Sequence, residues 1–141
     1  MTMSLQRFTR KPAVTLGSDA SARQAAELMR ERHVGAIIVV EANRPVGMIT
    51  DRDLALRVVG DHRDANTRLA EVMSHRPVAL HESDSIDQAL FTMRREGVRR
   101  LPILDDREGA IVGLVSIDDL LVLLAGELSS TAEAIIDNRG P

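Results

Sequence analysis

Cysteine, tryptophan and tyrosine are absent from these 141 residues, and phenylalanine occurs twice. Without cysteine there is no disulfide framework, no thiolate nucleophile and no thiolate-bound metal. Such a chain suits a reducing compartment. With so few rings there is little to stack on unpaired bases, which disfavours single-stranded RNA or DNA as a partner. A net charge of −3 disfavours a phosphate-backbone binder as well. Long apolar runs are also missing: the longest strongly apolar stretch, residues 120–125, is far too short to span a bilayer. Residues 1–11 are basic but lead into no apolar run, so they do not read as a signal peptide. The expectation is a cytoplasmic protein with no membrane and no nucleic-acid partner. What remains is ordinary globular composition, 44% hydrophobic and 28% charged. The length suggests one domain able to bury a real core.

The chain resembles itself. At a shift of 64 residues Leu5 falls on Leu69, Val14 on Val78, Leu16 on Leu80, Ser21 on Ser85, Gln24 on Gln88, Ala25 on Ala89 and Met29 on Met93. After Glu41 the shift becomes 66, so that Gly47 meets Gly113, Thr50 meets Ser116, Asp53 meets Asp119 and Gly60 meets Gly126. A two-residue difference in one loop joins the two registers, as a surface insertion would. Each unit reads β-α-β-β-α in about 56 residues, marginal alone, so two copies are expected to pack as an intramolecular pseudo-dimer of mixed α/β class. The first helices carry apolar residues at i, i+3, i+4 and i+7: Ala22, Ala25, Ala26, Met29 and Ile86, Ala89, Leu90, Met93. Both open on a capping box, Ser21-x-x-Gln24 and Ser85-x-x-Gln88. Gly97 stands at the expected C-terminal cap, and His33 takes the equivalent place. The second helices are expected over 51–59 and 117–125, ended by Gly60 and Gly126. The repeats span 5–60 and 69–126, joined by a polar linker at 61–68, with a helix over 67–74 leading into the second. Residues 127–141 form a helical extension and tail, with Ile135 and Ile136 as a small apolar patch.

The constellation that could carry chemistry is Gly47-Met48-Ile49-Thr50-Asp51-Arg52-Asp53, echoed by Gly113-Leu114-Val115-Ser116-Ile117-Asp118-Asp119. Each is a strand entering a helix through Gly-h-h-[Thr/Ser]-x-x-Asp, with h apolar. The bland reading is a capping box. The functional reading uses the same geometry: free N–H groups and the dipole favour a phosphate, and the carboxylate accepts from both hydroxyls of a ribose. Two copies at matching positions favour the second reading.

These motifs, with Glu71-Val72-Met73-Ser74 and Gly97-Val98-Arg99-Arg100-Leu101-Pro102-Ile103, make residues 5–126 resemble a tandem pair of cystathionine-β-synthase-type (CBS) domains. The first repeat departs from the family's usual Asp-Ile-Met-Ser/Thr lead-in, carrying Gln6-Arg7-Phe8-Thr9. The resemblance implies two sheets back to back and two clefts between the repeats that take adenosine-containing ligands: AMP, ADP, ATP, NAD or S-adenosylmethionine. It implies a flat homodimer and a regulatory role exerted on an effector protein. It places Thr50, Arg52, Asp53, Val78, Leu80, Arg99, Arg100 and Pro102 at a first cleft, and Val14, Leu16, Gly35, Ala36, Ile37, Ser116, Asp118 and Asp119 at a second.

Carried over in this way, the first cleft gathers Arg52, Arg99 and Arg100, whose guanidinium groups suit phosphate, while the second has Asp118, Gly35 and Ala36 at those places. The first is therefore expected to be the better phosphate site, and the second to take a neutral nucleoside or a ligand with its charge turned outward, or to stay empty. The competing view makes Arg99 and Arg100 a solvated strand end. An adenine would lie in an aliphatic slot with residues such as Val78, Leu80 and Ile37. His33, His62, His75 and His81 lack metal-ligand spacing, and no nucleophile elbow or catalytic triad order is present. The expectation is a binding module with no metal and no catalytic residue. The alternatives are a structural or protein-interaction module without sensing, and, least favoured, an enzyme.

Overall fold

The computed structural model describes residues 3–137, with side chains described through residue 130. The first repeat contributes β1 (Thr15–Gly17), α1 (Ala22–Arg32), β2 (Ala36–Glu41), β3 (Arg44–Thr50) and α2 (Asp51–Asp53), which passes into a π-helical segment (Leu54–Val59). A short α3 (Leu69–Val72) and β4 (Ser74–His75) follow. The second repeat contributes β5 (Leu80–His81), α4 (Ile86–Glu96), β6 (Arg100–Leu104), β7 (Ile111–Ser116) and α5 (Ile117–Asp137). Two small mixed sheets result, in the orders β1-β2-β3-β4 and β5-β6-β7. In each, a first strand runs parallel to the central one, which pairs antiparallel with the next through a hairpin.

The local signals act as the sequence requires. Ser21 and Ser85 accept from the N–H of Gln24 and Gln88, and the glutamine side chains accept from the serine N–H groups in return. His33 and Gly97 close α1 and α4 in the left-handed region, at φ 55° and 66°. On α1, Ala22, Ala25 and Met29 are buried, but Ala26 is exposed and the partly buried Leu28 packs on the core instead. Along β2, Ile37 and Val39 enter the first core. The alternate residues Ala36 and Ile38 belong to neither core yet are also buried, so both faces of the strand are covered.

The lead-in segments that open the two repeats are exchanged. Leu5 and Phe8, on a 3-10 turn (Leu5–Phe8), pack with Ile86, Ala89, Leu101 and Val115 in the core of the second repeat. Leu69, Val72 and Met73 pack with Ala25, Ile37 and Ile49 in the core of the first. Backbone pairing follows the same symmetry. Ser4 bridges to Ser85 and Arg68 to Ser21. The β4 residues Ser74 and His75 pair with Met48 and Gly47 of β3, while Arg10 pairs with Leu114 of β7. Gly47 and Gly113 make these crossings possible. A Cβ on Gly47 would lie 2.8 Å from the Ser74 carbonyl oxygen, and one on Gly113 would lie 2.3 Å from the Arg10 carbonyl oxygen.

Three expectations need correction. The helix expected over 51–59 is α2 plus the π-helical segment, whose wide turn shows in the bond from the Gly60 N–H to the Ala55 carbonyl (2.8 Å). Gly126 does not end the last helix: α5 continues to Asp137, because good helix formers such as Glu127 and Leu128 follow and no left-handed residue intervenes. The helix expected over 67–74 shrinks to α3, since the chain must extend at Ser74 to join β3. The side chains of Ile135 and Ile136, and residues 138–141, lie outside the described residues.

Candidate functional site

Two cavities lie where residues of the two repeats meet. The first, of about 350 Å³, is lined by Met48, Thr50 and Asp53 from one side. His75, Arg76, Val78, Val98, Arg99 and Arg100 line it from the other. The second, of about 240 Å³, sets Ser116, Asp118 and Asp119 opposite Val14, His33, Val34, Gly35 and Ala36. Arg10 and Arg100 also line it.

Several residues assigned to the clefts from sequence do not line them. Ile37 and Pro102 are buried within their strands, and Ile37 turns into the first core. Leu16 packs against the first core and Leu80 against the second. Arg52 is exposed beside the first cavity, its N–H bonded to the Asp51 carboxylate. Residues not anticipated take their place. Arg10 and Pro12 line the second cavity, and Ser74, His75 and Arg76 line the first. All belong to the exchanged lead-ins, and the 64-residue register that sets Arg10 on Ser74 was the available signal for them. His33 and His75 each line a cavity, although the sequence marked His33 only as a helix end and gave His75 no role.

The expected charge contrast also changes. Arg99 and Arg100 line the first cavity together with Arg76, while Arg52 does not line it. The second cavity is not poor in cations, since Arg10 and Arg100 both face it. Arg99 reaches across to Asp118 at 2.9 Å in an exposed pair, which screening makes weak.

The two carboxylates of the repeated motif differ in their partners. In the first cleft the capping box is complete: the Asp53 N–H donates to Thr50 Oγ1 (3.1 Å), and the Thr50 N–H donates to Asp53 Oδ2 (3.0 Å). The other oxygen, Oδ1, stands 3.8 Å from Arg57 Nε. In the second cleft the Asp119 N–H donates to Ser116 Oγ (3.1 Å). Both Asp119 carboxylate oxygens are taken by Arg10, whose Nε and Nη2 donate at 2.8 and 2.7 Å. This two-point contact raises the pKa of the Arg10 guanidinium, first through the hydrogen bond and then through the charge of Asp119. Among the described residues no group of three or more His, Asp or Glu side chains is arranged to hold a metal ion. No helix among them is long and apolar enough to cross a membrane.

A family model described as CBS domain matches residues 5–60 and again residues 69–126. The chain belongs to the CBS-domain family. The CBS domain-containing protein YhcV of Bacillus subtilis is 40% identical over 121 residues, which span 86% of this chain and 81% of that one. Among solved structures, a protein with CBS domains from Burkholderia ambifaria is 28% identical with a TM-score of 0.75, covering 86% of this chain and 93% of that one. The CBS domain protein PAE2072 of Pyrobaculum aerophilum, complexed with AMP, is 26% identical with a TM-score of 0.76, covering 88% of this chain and 99% of that one. The CBS pair is thus a tandem repeat whose two clefts are each shared between repeats.

Proposed function

We propose that this CBS pair is a regulatory module that binds adenosine-containing ligands in the two clefts and passes the occupancy to a partner protein. AMP, ADP and ATP are the first ligands to consider, with NAD and S-adenosylmethionine after them. The observation that carries the reading is that each cavity joins a [Thr/Ser]-x-x-Asp turn of one repeat to the first-strand and central-strand entry of the other. The turn offers a hydroxyl and a carboxylate for the ribose, and the arginines that line each cavity suit the phosphate. Aliphatic residues such as Val14, Val34, Val78 and Val98 offer a slot for a base. The AMP complex of PAE2072 supports the same ligand class. A ligand that touches both walls favours one relative placement of the repeats, and that differential affinity is what shifts the conformation.

A homodimer belongs to the same reading. Exposed apolar side chains lie on the closing helices of both repeats, Leu56 (55% exposed) and Val59 (75%) in the first, Leu121 (55%), Val122 (71%) and Leu128 (72%) in the second. Where such side chains form one contiguous patch, they mark a protein contact.

The test is a thermal-unfolding panel with AMP, ADP, ATP, NAD and S-adenosylmethionine. A ligand at a hundred times its dissociation constant raises stability by about 2.7 kcal/mol. Asp53→Ala and Asp119→Ala together should remove the shift. A flat panel supports a module that acts only by protein contact. Release of nucleotide products over time would point to an enzyme.

A further inference from the structure

The repeats set a serine and an arginine at equivalent places, Ser74 beside the first cleft and Arg10 beside the second. The backbone at Arg10 is fixed from both sides: its N–H donates to the Leu114 carbonyl (2.9 Å) and its carbonyl accepts from the Leu114 N–H (3.2 Å). From that anchor the guanidinium reaches Asp119 and occupies both carboxylate oxygens, while Asp119 itself is 18% exposed. The Arg10 side chain is 73% exposed, so it is free to leave toward solvent or along the cavity. In the first cleft the matching Asp53 has one oxygen in the capping bond and the other 3.8 Å from Arg57.

We propose that Arg10 is a specificity-determining residue of the second cleft, an internal occupant of Asp119 that makes binding there depend on an anionic group in the ligand. The inference rests on the adenosyl-binding reading above. A neutral nucleoside that offers its ribose hydroxyls to Asp119 must displace Arg10 and gives the guanidinium nothing in return. A nucleoside 5′-phosphate takes Arg10, and Arg100 beside it, in exchange for the carboxylate it uses. The second cleft therefore discriminates a nucleotide from its nucleoside more sharply than its residues at positions 35 and 36, a glycine and an alanine, would suggest.

The experiment is a titration of the full chain with AMP and with adenosine, followed by amide NMR shifts. Residues 116–119 and 35–36 report the second cleft, and residues 50–53 report the first. In the wild type the second cleft should prefer AMP. Arg10→Ser, which installs the residue of the other repeat, should lower that preference about tenfold, the scale of one hydrogen bond to a charged group. Adenosine gains and AMP loses, and Arg100 leaves a residual preference. Arg10→Gln, closer in size, should act in the same direction. The first cleft's preference should not move. An unchanged AMP-to-adenosine ratio in both variants, with spectra otherwise native, overturns the role of Arg10. Binding confined to the first cleft in wild type and variants also overturns it, and leaves the functional reading standing. Absence of shifts in either cleft with AMP and adenosine, and again when ADP, ATP, NAD and S-adenosylmethionine are titrated in turn, overturns the functional reading itself.

Discussion

The exchange of lead-ins makes a prediction that runs against the order of the chain. Leu5 opens the first repeat but is fully buried in the core of the second, beside Phe8, Ile86, Leu101 and Val115. Leu5→Ala removes that packing and leaves a cavity, at a cost of about 2–5 kcal/mol. A domain of this kind has roughly 5–15 kcal/mol in total, so the variant should still fold, with a clear loss in a urea titration. Native-state hydrogen exchange then locates the loss. Amides of β6 and β7 should exchange faster by the full amount, because undocking the lead-in opens the core they line. Leu69→Ala, equally buried but in the first core, should place its loss in β2 and β3. The reasoning is refuted if Leu5→Ala lowers protection mainly in β2 and β3, or costs less than about 1 kcal/mol, well below the range for a buried leucine.

Three further outcomes follow from single positions. Gly113→Ala sets a Cβ 2.3 Å from a backbone oxygen and 2.4 Å from Thr9 Cγ2. The lead-in must shift, so thermal stability should fall by about 1–3 kcal/mol and the Arg10–Leu114 pairing should weaken by amide exchange. His33→Gly should raise the melting temperature, with a gain of about 1 kcal/mol, because His33 caps α1 at φ 55° where glycine carries no Cβ penalty. Asp105 accepts from the N–H groups of Arg107, Glu108 and Gly109, and these bonds, that of Glu108 foremost, hold its carboxyl below the usual range. A lowered native pKa contributes stability above the ordinary carboxylate pKa that is lost as pH falls through the native value. The protection of the amides at residues 107–109, measured against their intrinsic exchange rates, should therefore fall in acid, and Asp105→Ala should abolish that pH dependence.

Much of the fold was legible because its signals are local. The capping boxes at Ser21 and Ser85, the left-handed ends at His33 and Gly97, and the buried central strands each depend on residues a few places apart. The lead-in exchange was not legible. Leu5 and Phe8 matched Leu69 and Val72 as apolar residues in need of a core, but nothing in the sequence said which core would take them. The same gap hid Arg10 and Arg76 from the clefts, since both reach them through the exchange. Leu16, Leu80 and Ile37 were displaced for a different reason. Alternation along a strand sends neighbouring side chains to opposite faces, and a resemblance assigned by segment does not say which face each one takes.

The two halves agree where packing rules and differ where ligands would sit. Equivalent core positions stay apolar: Ala25 and Ala89, Met29 and Met93, Ile37 and Leu101, Val39 and Ile103, Ile49 and Val115. A charge at any of these would be buried without a partner, at a cost no other contact in so small a core offsets. Equivalent cleft positions instead change charge: Arg10 against Ser74, Pro12 against Arg76, Gly35 against Arg99, Ala36 against Arg100. Apart from the buried Ala36, these positions keep access to solvent, so substituting them leaves the scaffold intact while altering what each cavity attracts. Near-symmetry of the backbone thus does not make two equal sites. Arg100 sharpens the point, because it lines both cavities. One guanidinium serves one anionic group well at a time, so filling either cleft with a phosphate changes the charge offered to the other. Binding data should therefore be fitted to two different and coupled sites, with the coupling the same in both directions.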